Sequence, residues 1–290
     1  MSLEQSNPYA DHSGGGRRSA GLIYPVISRR SGGLSLGVNL FPDGKRCSFD
    51  CPYCEVFAPS WDGRADSFDA SRLERELRAF AEAEGPRLFP SEPLRDISFS
   101  GDGEPSLSPH LGEALSLVAA ARRRYPYLAS ASLVLITNST GFLKPELSSL
   151  LRRFVSSEGL SIWAKLDAGT EAWYRRMNRS SVPFGSLVAG LESFAQGSPV
   201  ALQTMVCRLR GELPPEPEIL AYAALVSRLA LSGARIREIQ LYTQARPSPE
   251  GATAPLADAE LLGLSSLLRS HLIPGLPLRT FGSGGELSLQ

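Results

Sequence analysis

Six short apolar segments are each followed by an amphipathic stretch with helical spacing, and this alternation limits the possible folds more than any other feature. The extended segments are residues 34–40, 96–100, 133–138, 162–167, 200–206 and 236–243. Successive strand–helix units predict an α/β fold with a parallel sheet. Each unit takes roughly 30 to 40 residues, as in an eight-unit barrel, but only six fit into the chain. We therefore expect a partial (βα)6 barrel, with a doubly wound open sheet as the alternative.

The helical segments are indicated by apolar residues spaced at i, i+4 and i+7. These stripes cover residues 73–80, 111–118, 187–194, 219–229 and 261–268, with a shorter candidate at 144–154. Ser71 and Glu74 have the spacing of a capping box at the start of the first helix. Three arginines at residues 122–124 suit the end of the second helix, where cations offset the helix dipole.

The composition is that of a folded protein: 42% of the 290 residues are hydrophobic and 21% are charged. Thirty basic and 30 acidic residues balance, so no overall basic field attracts nucleic acid or anionic membranes. Residues 1–20 are rich in Gly, Ser and Asn and predict a flexible tail, followed by a single domain over residues 21–290. No stretch approaches the ~20 apolar residues of a membrane helix, and no apolar signal-peptide core is present. We expect a cytoplasmic protein.

Cys47, Cys51 and Cys54 form a CxxxCxxC pattern directly after the first strand. In a reducing compartment such cysteines are thiols or metal ligands rather than disulfides. Three thiolates from one loop suit a four-iron cluster and leave one iron without a protein ligand. The alternative is structural zinc, which needs a fourth ligand. The candidates for that ligand are Cys207, His12, His110 and His271.

The cysteine pattern resembles the radical S-adenosylmethionine (radical SAM) superfamily, whose motif is CxxxCxΦC with an aromatic Φ. Tyr53 fills the aromatic place. The resemblance implies that Cys47, Cys51 and Cys54 hold a [4Fe-4S] cluster, whose open iron takes the amino and carboxylate groups of SAM. One electron then cleaves SAM and gives a 5′-deoxyadenosyl radical that abstracts hydrogen from a substrate. The superfamily fold is a partial, TIM-like barrel of six strand–helix units, the number counted above.

The resemblance also implies a SAM contact at the end of the second strand. Gly101, Asp102, Gly103 and Glu104 follow this strand, where the superfamily has a GGE motif. The backbone of that motif receives the methionine amino group of SAM. Asp102 departs from the first glycine, but Gly101 and Gly103 keep the backbone freedom. The alternative is a tight structural turn.

Two further strands end in polar residues. Thr137 and Asn138 follow the third strand, where the superfamily often holds SAM through hydroxyls and amides; a turn is the alternative. Lys165 and Asp167 on the fourth strand are two residues apart and share a face, which suits a ribose hydroxyl or a carboxylate, or else a structural salt bridge. Tyr53 completes the set of predicted SAM-binding residues.

Other positions carry less specific signals. Gln203 and Gln240 interrupt apolar strands, so they either line a substrate pocket or bond to each other. Arg246, after the sixth strand, is a candidate to meet an anionic group. Cys207 follows the fifth strand, far along the chain from the other three cysteines, and we expect it to be a buried thiol.

Most of residues 22–250 resembles a branch of small Fe-S oxidoreductases related to the tRNA wyosine-base synthases. The segments that carry this resemblance include residues 25–30, 35–40, 100–107, 165–170, 177–179 and 242–247. No cysteine precedes Cys47 or follows Cys207, so cysteines for a second cluster are absent. The resemblance therefore implies a single-cluster enzyme and leaves its substrate open.

The predicted function is that of a radical SAM enzyme acting on a small-molecule or peptide substrate. Its electron donor would be a protein such as flavodoxin or ferredoxin. The first alternative is an RNA-modifying enzyme of the same fold, which requires the arginine pairs to gather on one face. The second is a non-catalytic binding module stabilised by zinc.

Overall fold

The computed structural model describes residues 21–57, 63 and 68–288, so the predicted tail over residues 1–20 lies outside the described part. The chain groups into two compact units. Of the described residues, the first comprises 21–46, 57, 63 and 68–134, and the second comprises 47–56 and 135–288. The single domain expected over residues 21–290 stays a prediction.

In the first unit, strands follow the order β1–β2–β3–β4. These are β1 (Ile23–Ser28), β2 (Gly33–Val38), β3 (Leu94–Phe99) and β4 (Ser132–Thr137), of which β4 belongs to this unit only in its first half. β1 pairs with β2 in antiparallel orientation, and β2 pairs with β3 in parallel. The antiparallel hairpin partner β1 was not predicted from the sequence.

The helices of the first unit are α1 (Ala70–Ala79), α2 (Gly85–Leu88), α3 (Leu111–Arg124) and α4 (Pro126–Ala129). The capping box predicted at Ser71 and Glu74 is wrong, because Asp69 is the N-cap and its side chain accepts a hydrogen bond from the Ser71 N–H. Asp69, in extended conformation, caps the helix two residues earlier than predicted. The predicted arginines do occupy the last turn of α3.

In the second unit, strands follow the order β4–β5–β6–β8–β10–β11. They are β5 (Ser161–Lys165), β6 (Val200–Met205), β7 (Arg208–Leu209), β8 (Ile236–Tyr242), β9 (Thr253–Ala254), β10 (Leu278–Phe281) and β11 (Glu286–Leu287), with β7 and β9 forming a separate antiparallel pair. The pairs β5–β6, β6–β8 and β8–β10 are parallel, and β11 closes the edge in antiparallel orientation.

The helices of the second unit are α5 (Pro145–Glu158), α6 (Glu171–Met177), α7 (Phe184–Gly197), α8 (Glu216–Leu231) and α9 (Asp258–His271). All six predicted strands are confirmed, as β2, β3, β4, β5, β6 and β8, and a helix follows each of them. β10 and β11 extend the sheet beyond the prediction. None of the helices in the described ranges is long and apolar enough to cross a membrane.

A row of polar side chains crosses the parallel strands of the second unit at one register position. Lys165 lies beside Gln203, Gln203 beside Gln240, and Gln240 beside Arg279. Gln203 donates to Gln240 over 2.8 Å, and both amides are buried. Of the two roles predicted for these glutamines, the structure shows the mutual hydrogen bond.

The loop after β5 fits closely against α8. Gly169 N–H donates to the buried Glu218 carboxylate over 2.5 Å, and the Thr170 hydroxyl donates to the same group over 2.6 Å. A Cβ at Gly169 would lie 2.1 Å from the Tyr222 backbone nitrogen. Because the obstacle is helix backbone, a side chain here would push the loop away from α8.

We expect Gly169→Ala to lower the free energy of unfolding by about 3 kcal/mol, the size of a severe overpacking defect. Gly185→Ala is the matched control, since a Cβ there meets no heavy atom within 4 Å and alanine favours the helix. Chemical denaturation of both variants measures the difference. Equal stability of the two variants would contradict the close packing of this loop.

Candidate functional site

The cysteine loop lies within the second unit and is fixed by the segment that follows α6. Asp50 N–H donates to the Asn178 carbonyl over 2.9 Å, and the Ser180 hydroxyl donates to the Ser48 carbonyl over 2.9 Å. Cys54 N–H donates to the Cys51 carbonyl over 3.0 Å and closes a turn inside the loop. None of the three cysteines forms a disulfide in the described part of the chain.

Two of the three sulfurs receive N–H groups. Phe49 N–H and the Asn138 amide lie 3.4 and 3.6 Å from Cys47 Sγ. The Asn178 amide lies 3.7 Å from Cys51 Sγ. Donors directed at sulfur stabilise a thiolate, which is the form that binds a metal. The loop therefore fits thiolate ligands of an iron–sulfur cluster.

Asp167, which follows β5, is the centre of a buried hydrogen-bond network. Its Oδ1 accepts from Met205 N–H over 2.9 Å and from Lys165 Nζ over 3.3 Å. Its Oδ2 accepts from Asn178 Nδ2 over 2.7 Å and from the Tyr53 hydroxyl. A carboxylate offers about four acceptor positions, so these donors fill the group.

Lys165 is enclosed by aromatic rings as well as by its carboxylate partner. Its Nζ donates to the Tyr242 hydroxyl over 3.0 Å. The same nitrogen lies 4.9 Å from the Tyr53 ring centroid and 5.5 Å from that of Tyr242. A cation over two rings gains attraction from both π faces. The predicted pairing of Lys165 with Asp167 is thus present, at 17% side-chain exposure for Lys165.

Burial and charge set the protonation of these groups. Burial alone would lower the pKa of Lys165, but the charge of Asp167 and the bond to Tyr242 raise it above its usual value, so the ammonium stays charged. Burial, and then the Asp167 charge, raise the pKa of Tyr53 well above its usual value, so its hydroxyl remains a donor. Burial raises the pKa of Cys51 to about 12, so a bound metal must displace its proton.

The turn after β4 directs Asn138 toward the cysteine loop. Asn138 Oδ1 accepts from Thr140 N–H and from the Thr140 hydroxyl, at 3.1 and 2.7 Å. Its Nδ2 donates to the Ser48 hydroxyl over 2.9 Å, in addition to the Cys47 contact. Thr137 accepts from Ser139 N–H over 3.2 Å, which is a turn contact.

The Gly101–Glu104 segment lies in the first unit and is bonded to Arg46, the residue before Cys47. Arg46 N–H donates to the Asp102 carbonyl over 3.0 Å, and Glu104 N–H donates to the Arg46 carbonyl over 2.7 Å. Gly103 has φ +153°, and a Cβ there would lie 1.9 Å from the Arg46 oxygen. Glycine is therefore required at 103 by close approach of two backbones.

The side chains of this segment have structural partners. Asn39 Nδ2 donates to Asp102 Oδ2 over 2.7 Å, and Ser106 N–H donates to Glu104 Oε1 over 3.1 Å. Gly101 has φ +117°, whereas Asp102 is not among the residues with positive φ. Aspartate in place of the first glycine of the predicted motif is therefore compatible with this backbone.

Within the second unit, contacts join six of the predicted site residues in two groups. Asn138 contacts Cys47, and Asn178 and Asp167 bring together Cys51, Tyr53 and Lys165. Gly101, Asp102, Gly103 and Glu104 form their own group in the first unit. The cofactor-binding roles of all these residues stay predictions. Among the described residues, no three or more His, Cys, Asp or Glu are grouped so as to hold a single metal ion. A four-iron cluster makes a different demand, because each cysteine would bind a separate iron.

Sequence reasoning missed two contributors, Asn178 and Glu55. Asn178 contacts Cys51, Tyr53 and Asp167; its only signal was its place in the 177–179 segment used for the family resemblance. Glu55 accepts from Ala245 N–H and Arg246 N–H at 2.9 and 3.0 Å and pairs with the Arg246 side chain. The anionic partner expected for Arg246 is thus supplied by the chain itself.

Comparison with known proteins gives relatives and a fold. No family model matches the chain. It is 26% identical over 264 residues to a UPF0026 protein of Helicobacter pylori, covering 91% of this chain and 78% of that one. A UPF0026 protein of Synechocystis is 27% identical over 238 residues, covering 78% and 77% of the two chains.

Two solved structures share the architecture. Streptococcus suis SuiB bound to S-adenosylmethionine superposes with a TM-score of 0.60 at 14% identity, covering 85% of this chain. The chain spans about half of SuiB, 50% of its length. A radical SAM methyltransferase from Sphaerobacter thermophilus gives a TM-score of 0.62 at 15% identity, covering 91% of this chain and 69% of that one. The chain has the partial-barrel fold of radical SAM proteins, which confirms the predicted fold class.

We expect Asp167→Asn to destabilise the protein by about 3 kcal/mol, because it leaves the Lys165 charge buried without its partner. Lys165→Met combined with Asp167→Asn should recover part of the loss, since the orphaned charge is then gone. The matched control is Glu171→Gln, which removes the exposed pair with Arg175 and should cost less than about 0.5 kcal/mol. Urea unfolding compares them. Similar costs for Asp167→Asn and Glu171→Gln would contradict a buried, coupled pair.

Proposed function

We propose that this protein is a radical SAM enzyme. It binds one [4Fe-4S] cluster through Cys47, Cys51 and Cys54 and cleaves S-adenosylmethionine reductively. The observation that carries the proposal is the three-cysteine loop after a barrel strand, with amide donors at the sulfurs of Cys47 and Cys51. The radical SAM fold of the chain supports it independently of the cysteines.

Three cysteines suit a cluster that must keep one iron open for a second ligand. When bound, the cluster supplies the electron that converts SAM to methionine and a 5′-deoxyadenosyl radical. The chain orients SAM and substrate and excludes water from the reaction. The residues predicted to contact SAM lie at or near the ends of several strands.

Lys165 is the side chain best placed to meet SAM. It is charged, it is held by Asp167 and Tyr242, and it keeps partial exposure. Asp167 is different, because its four contacts fill its acceptor positions. We assign Asp167 to holding Lys165 and Tyr53 in position; a direct bond from Asp167 to the ribose would require one of these donors to leave.

In the first unit, the backbone at Gly101–Glu104 is proposed to receive the methionine amino group. The side chains of this segment are less suited than its backbone to bind the amino group, because they already have partners. Glu104 caps the following turn, and Asp102 accepts a hydrogen bond from Asn39. The positive φ angles of Gly101 and Gly103 turn the backbone sharply at the end of β3. Thr137 and Asn138 remain proposed SAM contacts. Asn138 also donates its amide to the Cys47 sulfur.

The proposed substrate is a small molecule or a peptide, whose hydrogen atom is abstracted, and the proposed reductant is a protein such as flavodoxin or ferredoxin. We also propose a cytoplasmic location, where free thiols and a reducible cluster are maintained.

Neither alternative function gains a supporting observation. Three of the arginines that an RNA-modifying enzyme would use have separate partners within the second unit. Arg152 donates to the Ser193 carbonyl, Arg175 pairs with Glu171 and Arg176 pairs with Glu212. For a zinc module, the candidate ligand His110 stacks on Phe68, with 4.8 Å between ring centroids, and Cys207 is buried.

The test is 5′-deoxyadenosine formation by the anaerobically reconstituted protein with SAM and dithionite. We expect product from the unmodified protein and none from Cys51→Ala, which should also lose iron and sulfide. Cys207→Ala is the matched control and should keep both, because Cys207 follows β6 and is not one of the three loop cysteines. Bound zinc at about one ion per chain, without iron or product, would contradict the proposal.

A further inference from the structure

Asn178 shares one amide nitrogen among three acceptors. Its Nδ2 lies 3.7 Å from Cys51 Sγ, 3.0 Å from the Tyr53 hydroxyl oxygen and 2.7 Å from Asp167 Oδ2. The residue is 1% exposed. Its backbone is fixed too, since its N–H donates to the Tyr174 carbonyl and its own carbonyl accepts from Asp50 N–H.

A primary amide has two N–H groups, so three acceptors cannot all be served fully at once. The short bond to Asp167 Oδ2 takes most of one N–H, and the Tyr53 oxygen and Cys51 sulfur compete for the other. The strength of the N–H···S contact therefore depends on how Tyr53 and Asp167 are held. Both of those residues belong to the network around Lys165.

Asn138 offers a comparison within the same loop. Its Nδ2 contacts Cys47 Sγ and the Ser48 hydroxyl, at 3.6 and 2.9 Å. Its oxygen serves Thr140 in the turn after β4. Two asparagines thus donate to two cysteine sulfurs, and Asn178 is also bonded to Tyr53 and Asp167.

We propose that Asn178 is a positioning residue that couples ligand binding at the Tyr53–Lys165–Asp167 network to the reduction potential of the cluster. The inference rests on the proposed function and adds a regulation of the same site. A hydrogen bond to a cluster sulfur stabilises the reduced state, which carries one more negative charge, and so raises the potential. A ligand that engages Lys165 or Tyr53 changes the acceptors competing for Asn178 and thereby changes its bond to Cys51.

Thermodynamic linkage makes this coupling reciprocal. If SAM shifts the potential of the cluster, the reduced and oxidised proteins must bind SAM with affinities that differ by the corresponding factor. Coupling through Asn178 would make the reduction potential of the cluster depend on whether SAM is bound. The electron comes from dithionite in the experiment below, and no other reactant is needed.

The experiment is a redox titration of the anaerobically reconstituted protein, followed by electron paramagnetic resonance, with and without SAM. We expect SAM to shift the midpoint potential of the unmodified protein. Asn178→Ala should have a lower potential without SAM and should lose at least half of the SAM-induced shift. Asn138→Ala is the matched control, measured at a SAM concentration that saturates binding because Asn138 is also a proposed SAM contact: its potential should also fall, but its SAM-induced shift should be retained. Asn178→Leu, which fills the space without a donor, should behave like Asn178→Ala.

An unchanged SAM-induced shift in Asn178→Ala, or equal loss of the shift in Asn138→Ala, would overturn the inference. Failure of both Asn178 variants to hold a cluster would assign Asn178 to assembly and would overturn it as well. The proposed function fails separately, if the unmodified protein shows no reducible cluster or forms no 5′-deoxyadenosine.

Discussion

The Asp167 carboxylate is buried, and donors from four parts of the second unit converge on it. Tyr53 comes from the cysteine loop, Lys165 from β5, Met205 N–H from the end of β6, and Asn178 from the segment after α6. An isolated buried charge is costly, and so is a buried donor or acceptor without a hydrogen bond. Moving any one of these four donors away from Asp167 would therefore destabilise the folded protein. The position of the cysteine loop, the charge on Lys165 and the orientation of Tyr53 all depend on this group.

Further hydrogen bonds fix the groups around the cysteine sulfurs. Asn178 and Asn138 are each fixed by other contacts and present their amides to the sulfurs. Glu55 binds the chain after β8 through two backbone N–H groups and the Arg246 side chain, which ties the end of the loop to that strand. Preorganised donors of this kind lower the cost of assembling a metal site and tune it once it is formed.

The regular part of the fold was predictable because its signals are local. Alternating apolar strands and helical stripes located all six strand–helix units, and the cysteine spacing located the loop. Three strands were missed: β1, which is the antiparallel partner of β2, and the short strands β10 and β11, which follow α9. The cap at Asp69 was missed by two residues, which is a local ambiguity between neighbouring polar side chains.

The site was predictable only in part. Lys165 and Asp167 share a face by strand periodicity, and their pairing followed. The contacts of Asn178 join residues 11 to 127 positions apart, and no periodicity reports them. Likewise, the acceptor positions of Asp167 are seen to be filled only when every donor is placed.

The measurement that tests this account most directly is the Mössbauer spectrum of ⁵⁷Fe-reconstituted protein before and after SAM is added. Three cysteine ligands and one open corner predict a [4Fe-4S] spectrum in which a single iron of the four changes when SAM binds. Four irons that remain equivalent and unaffected by SAM, or iron without cluster signals, would contradict the assignment of Cys47, Cys51 and Cys54.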